Sequence, residues 1–568
     1  MSRFVPLIFR RRITTIGGAF ALAIAVAACS PGTTGTPTVA ANGDGPAEAI
    51  NLRVSSATTY TRNFNIYSPS TDLAPTAGLV YEPLVRRNVF KGGALEPWLA
   101  ESWEWSDGDK VLTLKLRKDV KFADGTPMTS KDVAFTLNIP LKYPELNTGG
   151  QTYVSAEAID ESTVVVKWSK SGRLDFYRFA AGASTNPPRI VPEHIWKDKD
   201  LKTWVNPDPV GTGVAALDQF TPQQISYKAR ADYWNGALPM KLIKIVAAGG
   251  DDQTKARLLK GNLDFATMSW PNAQAEYVAR NPKTNLYSTY ATGGEESLLF
   301  NLAKAPFDDV NVRRALAMSL DRESLLKLAP TGQNPANACG LEPEVYKDYM
   351  APECKVQTSD PENAKKALAD GGWKIEGGKL TKDGKAYDLS LKVVQEYTNW
   401  MAYGKGMQDQ WKTNLGLDVK VVAVPEENYD PPLNEGDFDM ALYWTGGSNG
   451  MYSVFSDQLD PATYKPIGED SSYLNQGRWK DKSTVPLLDQ LRATVGDDAK
   501  QKDAGRRLQR IVLDQVPYSP MFSSVWFVDM NMTRWTGWPV PGQTQFAPHS
   551  SLGPDLVLTL KNLKPVIR

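Results

Sequence analysis

The sequence predicts a large α/β protein, and three observations carry that prediction. Strand patterns and amphipathic helix patterns alternate along the whole body. No fixed-period repeat interrupts them, and 42% hydrophobic residues in a chain of 568 supply a large core of two to four domains. In order, Val111–Arg117 alternates apolar and polar residues, the pattern of a half-buried strand. Asp124-Gly125 turns the chain, and Thr129 with Asp132 forms a capping box ahead of Val133, Phe135 and Leu137. Asp308 and Asp309 stand where carboxylates favour a helix start, followed at helical spacing by Val312, Ala315, Leu316 and Leu320. Asp360-Pro361-Glu362 opens a further helix that Gly371-Gly372 closes. The β-branched run Val419–Val424 suits a buried strand.

The N-terminus reads as an export signal. Arg3, Arg10, Arg11 and Arg12 precede an uncharged stretch from Ile13 to Ala28 that ends in Val26-Ala27-Ala28, directly before Cys29. This order resembles a lipobox, in which Cys29 is acylated and becomes the first residue of the mature chain. The alternative, a transmembrane anchor, meets the difficulty that 16 uncharged residues fall short of the ~20 that span a bilayer. Ser30 to Ile50 is rich in Gly, Pro and Thr and lacks aromatics, as a flexible tether would be. The expected location is the outer face of the cell membrane.

Loss of the signal removes four arginines and no acid from a chain with 64 basic and 64 acidic residues, leaving a net charge of −4. That balance offers no phosphate-binding patch and argues against nucleic acid. After Cys29 only Cys339 and Cys354 remain. In an oxidising compartment they form one disulfide across a local loop; two free buried thiols are the alternative. His194 and His549, the two histidines, stand at no ligand spacing to either cysteine, so neither a metal nor another cofactor is expected.

An ordered set of segments resembles one family. Tyr81-Glu-Pro-Leu84, Pro97–Trp103, Leu112–Arg117, Val120-Lys-Phe122, Asp124-Gly-Thr-Pro127 and Lys131-Asp-Val133 are similar to the family 5 extracellular solute-binding proteins of ABC transporters. Ile190–His194, Val210–Gly213, Leu299-Phe-Asn301, Pro306–Val310, Arg313–Leu316 and Gln515-Val-Pro517 continue the match. The resemblance implies a bilobal periplasmic-binding-protein-like fold of the large three-domain type, with a hinge between lobes that close on a small-molecule ligand. The expected division is 1–28 signal peptide and 29–50 anchor and linker. Residues 51–90, 211–305 and 525–568 then form domain I, 91–210 an inserted domain II, and 306–524 domain III. It also implies permease subunits in the membrane as partners, and a monomeric receptor.

Peptide receptors of this family hold the ligand's α-amino group with an Asp shortly after a strand-end Trp. Here the matching stretch reads Trp444-Thr445-Gly446-Gly447-Ser448-Asn449, with the Trp and without the Asp. A neutral surface of this kind suits a polyhydroxyl ligand: Trp444 stacks on a sugar ring while glycine backbone, Ser448 and Asn449 bond hydroxyls. The segment looks like that of the family's cello-oligosaccharide and related β-glycan receptors. Trp270, Asn301, Trp400 and Trp538 are further candidates, the tryptophans because they read as loop residues. An oligopeptide or dipeptide ligand is the alternative. Catalysis is not expected, because a glycosidase needs two placed carboxylates and no catalytic motif surrounds any acid here. A chaperone or sensor on the same fold is a third class.

Overall fold

A ten-stranded mixed sheet runs through the molecule, and two adjacent interior strands are its longest: Asn285–Phe300 and Tyr518–Asn531, paired antiparallel. The computed structural model describes residues 48–568 apart from 56, 69–75, 77, 92, 148–149, 181–188, 447–449, 496–497, 543–545, 550–552 and 568. The expected signal sequence, Cys29 and residues 30–47 of the expected tether fall outside the described residues, as do Gly447, Ser448 and Asn449, whereas Ala49 and the buried Ile50, expected at the end of the tether, begin the strand Ala49–Arg53. Among the described residues no helix is long and apolar enough to cross a membrane.

On one side of the long pair lie Met440–Gly446, Leu389–Val394 and Val419–Val424; on the other lie Phe265–Ala266, Ala49–Arg53, Leu242–Val246, Gln224–Ala229 and Ala215–Thr221. The long strands do not stay in one register. Asn285–Ala291 pairs with Asn531–Val525, the pairing shifts across residues 292–294, and Glu295–Leu299 resumes against Ser523–Tyr518. Gly293 sits in that bulge at φ +85°, a conformation glycine adopts without the strain a side chain brings.

The hydrophobic core changes hands across the same bulge. Tyr290, Val528 and Met530 belong to a core shared with the N-terminal strands, whereas Leu298, Leu299, Phe300 and Phe522 belong to a second core formed largely by residues 298–522. The change of core therefore lies inside the two long strands. Two cores joined by two continuous strands are the two lobes of the molecule.

Local signals placed three of the helices. Thr129 caps Ser130–Lys142, and the Asp132 side chain accepts from the Thr129 backbone at 2.9 Å. Val133 and Leu137 are buried on that helix and Phe135 is half-buried. Asp309 caps Val310–Met318, and Asp360 caps Pro361–Asp370, which ends at Gly371. In Val111–Leu116 the three leucines are buried and the residues between them are not, within an antiparallel sheet of four strands that shares the first core. Val419–Val424 departs from expectation. It is the sheet's edge strand, pairs only with Leu389–Val394, and buries Val419 alone, because nothing flanks its other side.

Cys339 and Cys354 form a disulfide with Cα atoms 5.6 Å apart, closing a loop of sequence separation 15 in the second lobe. A loop of that length contributes about 3 kcal/mol, mainly by restricting the unfolded chain. Cys354→Ser is expected to lower the free energy of unfolding by that order in a denaturant titration. An unchanged midpoint would mean that the Asn337–Val356 bridge beside it already holds the loop.

Candidate ligand-binding site

The strand Met440–Gly446 runs toward the bulge of the long strands, and its last residues form the centre of the candidate site. Met440, Ala441 and Leu442 are buried, so the strand is anchored at its start. Trp444 is 41% exposed there, unusual for so large an apolar side chain. Its ring lies 4.7 Å from Trp400, 5.9 Å from Tyr397 and 5.8 Å from Tyr443, measured between centroids. Thr445 faces inward, its hydroxyl 2.6 Å from that of Ser297. Gly446 is half-buried, with φ +67°.

Trp400 supports Trp444 from below. It lies not on a loop but in the first turn of Thr398–Leu415, whose buried Trp400, Tyr403, Met407, Trp411 and Leu415 recur at helical spacing. Its Nε1 donates to Glu296 at 2.9 Å, and Tyr397 meets it edge-on at 5.3 Å. Glu296, on the long strand directly opposite Trp444, escaped the sequence reading. Two adjacent acids inside the otherwise uncharged run Tyr290–Phe300 were the available signal.

Three candidates belong to the interior instead. Trp270 is buried, stacks on Tyr277 at 5.0 Å and donates to Glu276 at 2.9 Å. Trp538 is buried, stacks on Phe265 at 5.8 Å and donates to the Trp535 carbonyl at 3.1 Å. Both rings fill gaps beneath loops, which sequence proximity to Pro and Gly does not reveal. Asn301 is fully buried; its amide donates to the carbonyls of Gly436 and Phe438 at 2.8 and 3.0 Å. It ties the end of the long strand to a turn and has no donor left for a ligand.

Where the chain resumes at Gly450, it borders a cavity of about 360 Å³ between the two lobes, within the range of small-molecule sites. Trp103, Trp105, Phe176 and Tyr177 line it from the first lobe, and Tyr349 and Tyr452 from the second. The lobes touch at its rim: a Cβ on Gly450, at φ +76°, would stand 2.8 Å from the Tyr177 hydroxyl, so only glycine allows this approach. The cations at the cavity are held by their own neighbours. Arg173 pairs with Asp109 at 2.8 Å, and Lys91 with Glu96 at 2.9 Å. Arg492, beside it, donates to the Tyr452 hydroxyl at 2.7 Å. Among the described residues no group of three or more His, Cys, Asp or Glu side chains could hold a metal ion. The arrangement offers aromatic faces and backbone dipoles, and little unpaired charge.

Comparison with known proteins agrees with this architecture. Residues 94–465 match the model of the bacterial extracellular solute-binding proteins, family 5 middle region. The oligopeptide-binding protein AppA of Bacillus subtilis is 26% identical over 523 residues, covering 88% of this chain and 91% of its own. A crystal structure described as a periplasmic oligopeptide-binding protein of an oligopeptide ABC transporter from Thermotoga maritima superposes with a TM-score of 0.80 at 25% identity, covering 91% of this chain and 99% of that one. A mannohexaose-bound structure so described, also from Thermotoga maritima, superposes with a TM-score of 0.73 at 24% identity, covering 92% and 99%.

Proposed function

Since the chain belongs to the family 5 bacterial extracellular solute-binding proteins, we propose that it is the lipid-anchored receptor of an ABC importer and captures a neutral oligosaccharide of β-glycan type, such as a cello-oligosaccharide. The exposed Trp444, backed by Trp400 and Tyr397, carries the reading, and a separate aromatic cavity whose cations are already paired is consistent with it. Aromatic faces suit the C–H faces of pyranose rings, and a site without free charge has no ion to desolvate when a neutral ligand binds. The segment 447–449, Gly-Ser-Asn, supplies backbone and side-chain partners for hydroxyl groups in this reading.

The receptor works by population shift. Contacts made to the sugar by both lobes stabilise the closed form, with the bulged strands at residues 292–294 as hinge. Closed lobes then present a surface to the permease subunits, and acylated Cys29 keeps the monomeric receptor beside them. An oligopeptide is the second reading, favoured by the Bacillus relative.

Thermal-shift measurements with cello-oligosaccharides against di- to pentapeptides separate the two. Ligand at a hundred times its Kd stabilises the fold by about 2.7 kcal/mol, so the sugar series is expected to raise the Tm and the peptides to leave it unchanged. Stabilisation by peptides alone would overturn the sugar reading.

A further inference from the structure

The cavity between the lobes lies apart from the Trp444 platform and is walled from both sides. Its first-lobe wall includes the strand Ala100–Ser106, an edge strand of the four-stranded sheet. Alternation puts Trp103 and Trp105 on one face of that strand and Glu104 on the other. Phe176 meets both indoles, at 5.8 and 5.9 Å, yet each stays half-buried although the lobes touch at Gly450 and Tyr177. Trp270 and Trp538, by contrast, are buried in the core. Apolar ring area therefore remains wetted within the cavity, and covering it is favourable.

The second lobe supplies rings that are already held and one oriented acceptor. Arg492 lies over Tyr452 at 5.3 Å and Lys502 over Tyr349 at 5.2 Å. Gln501 donates through its amide nitrogen to the Leu491 carbonyl and the Thr494 hydroxyl, at 2.7 and 3.2 Å. Those bonds fix the amide and leave its Oε1 as an acceptor. Across the cavity the indole N–H groups of Trp103 and Trp105 have no acceptor among the described residues. Lys91 and Arg173 are each paired within the first lobe. Aromatic faces, one oriented acceptor and two indole donors match a ring with apolar faces and hydroxyl edges, and an ionised group finds no unpaired partner here.

We propose that this cavity is a second subsite for a neutral sugar ring, covered by Trp103 and Trp105 of the first lobe and held through a hydroxyl by Gln501 of the second. The inference rests on the sugar reading of Trp444. A ring placed there touches both lobes, so it also stabilises the closed form. Gly446, at the end of the Trp444 strand, and Gly450, at the cavity rim, are four residues apart in the chain, which limits their separation to about 14 Å. The ring is therefore the far end of the oligosaccharide seated on Trp444 or a separate monosaccharide, and the two sources give different results.

The test uses the full mature chain, the series cellobiose to cellohexaose, and glucose alone. Wild type is compared with Trp103→Ala, Ala94→Trp and Trp444→Ala. Ala94 lines the cavity and is exposed, so Ala94→Trp fills the space without removing a core contact. Calorimetry is expected to give a wild-type affinity about tenfold tighter for cellohexaose than for cellobiose. Trp103→Ala and Ala94→Trp should lose that gain and leave cellobiose binding unchanged, which identifies the far end of the chain. For a separate monosaccharide, glucose binding in saturation-transfer NMR survives Trp444→Ala and is lost in Ala94→Trp. Absence of both effects from the wild type, or their persistence in both cavity variants, would overturn the proposal. If the wild type binds no cello-oligosaccharide, the reading of Trp444 fails, and glucose binding alone then decides for or against the cavity.

Discussion

Trp444→Ala is expected to weaken oligosaccharide binding about a hundredfold, or 2–3 kcal/mol, the cost of removing a central aromatic anchor. The geometry gives the reason. Trp444 is 41% exposed, so a sugar ring covers apolar area that water otherwise wets. It is also held in advance, with Trp400 at 4.7 Å fixed in turn by Glu296, so little side-chain freedom is lost on binding. The same exposure predicts a small effect on folding: the Tm without ligand should change little, because few of the contacts of Trp444 are core contacts. Trp444→Phe, which keeps a ring, should recover much of the affinity. Isothermal titration calorimetry with cellotetraose measures both, and an unchanged Kd in Trp444→Ala would remove Trp444 from the site.

Asp555→Ala is expected to destabilise the fold by about 3 kcal/mol, the typical cost of removing one member of a buried ion pair. Asp555 lies on Gly553–Asn562 and accepts from Arg86 Nε at 2.6 Å, with side-chain exposures of 1% and 7%. It also accepts the backbone N–H of Ala547 at 3.1 Å. Burial pushes its pKa above the usual carboxylate range, and Arg86 pulls against that shift. The contact ties the end of the chain to the strand Val85–Asn88. Glu96 also holds Arg86, at 2.6 Å, so the guanidinium keeps one partner and the chain remains folded at low temperature. Asp555→Asn, which retains an acceptor, should cost less. Denaturant titration reads the difference, and a loss below about 1 kcal/mol would show that water replaces the carboxylate without penalty.

Helix starts were legible because capping is local. Thr129 with Asp132, Asp309 and Asp360 each satisfy backbone donors within three residues, so neighbours in sequence suffice to recognise them. The Cys339–Cys354 bond was legible for a similar reason: the two residues lie close together with no competing partner between them. Trp444 is singled out in the sequence by its motif, and the structure adds its exposure. Trp270 and Trp538 misled, because a tryptophan beside Pro or Gly reads as a loop residue whether its ring faces a ligand or fills the core. The cavity aromatics were not legible at all. Trp103 and Tyr452 are separated by about 350 residues of sequence and meet only because two lobes face each other.

By itself the sequence determined the α/β class, the family and the neutral character of the strand end at Trp444-Thr445-Gly446. Each of these is written in short-range pattern: period, capping and residue type over a few positions. Tertiary structure alone decided that Val419–Val424 is an edge strand, that the pairing of the long strands shifts at residues 292–294, and that Glu296 holds Trp400 beneath Trp444. These depend on which segments pair across the sheet and which faces they bury. Pairing and burial are set by contacts hundreds of residues apart, which no local window of the chain contains.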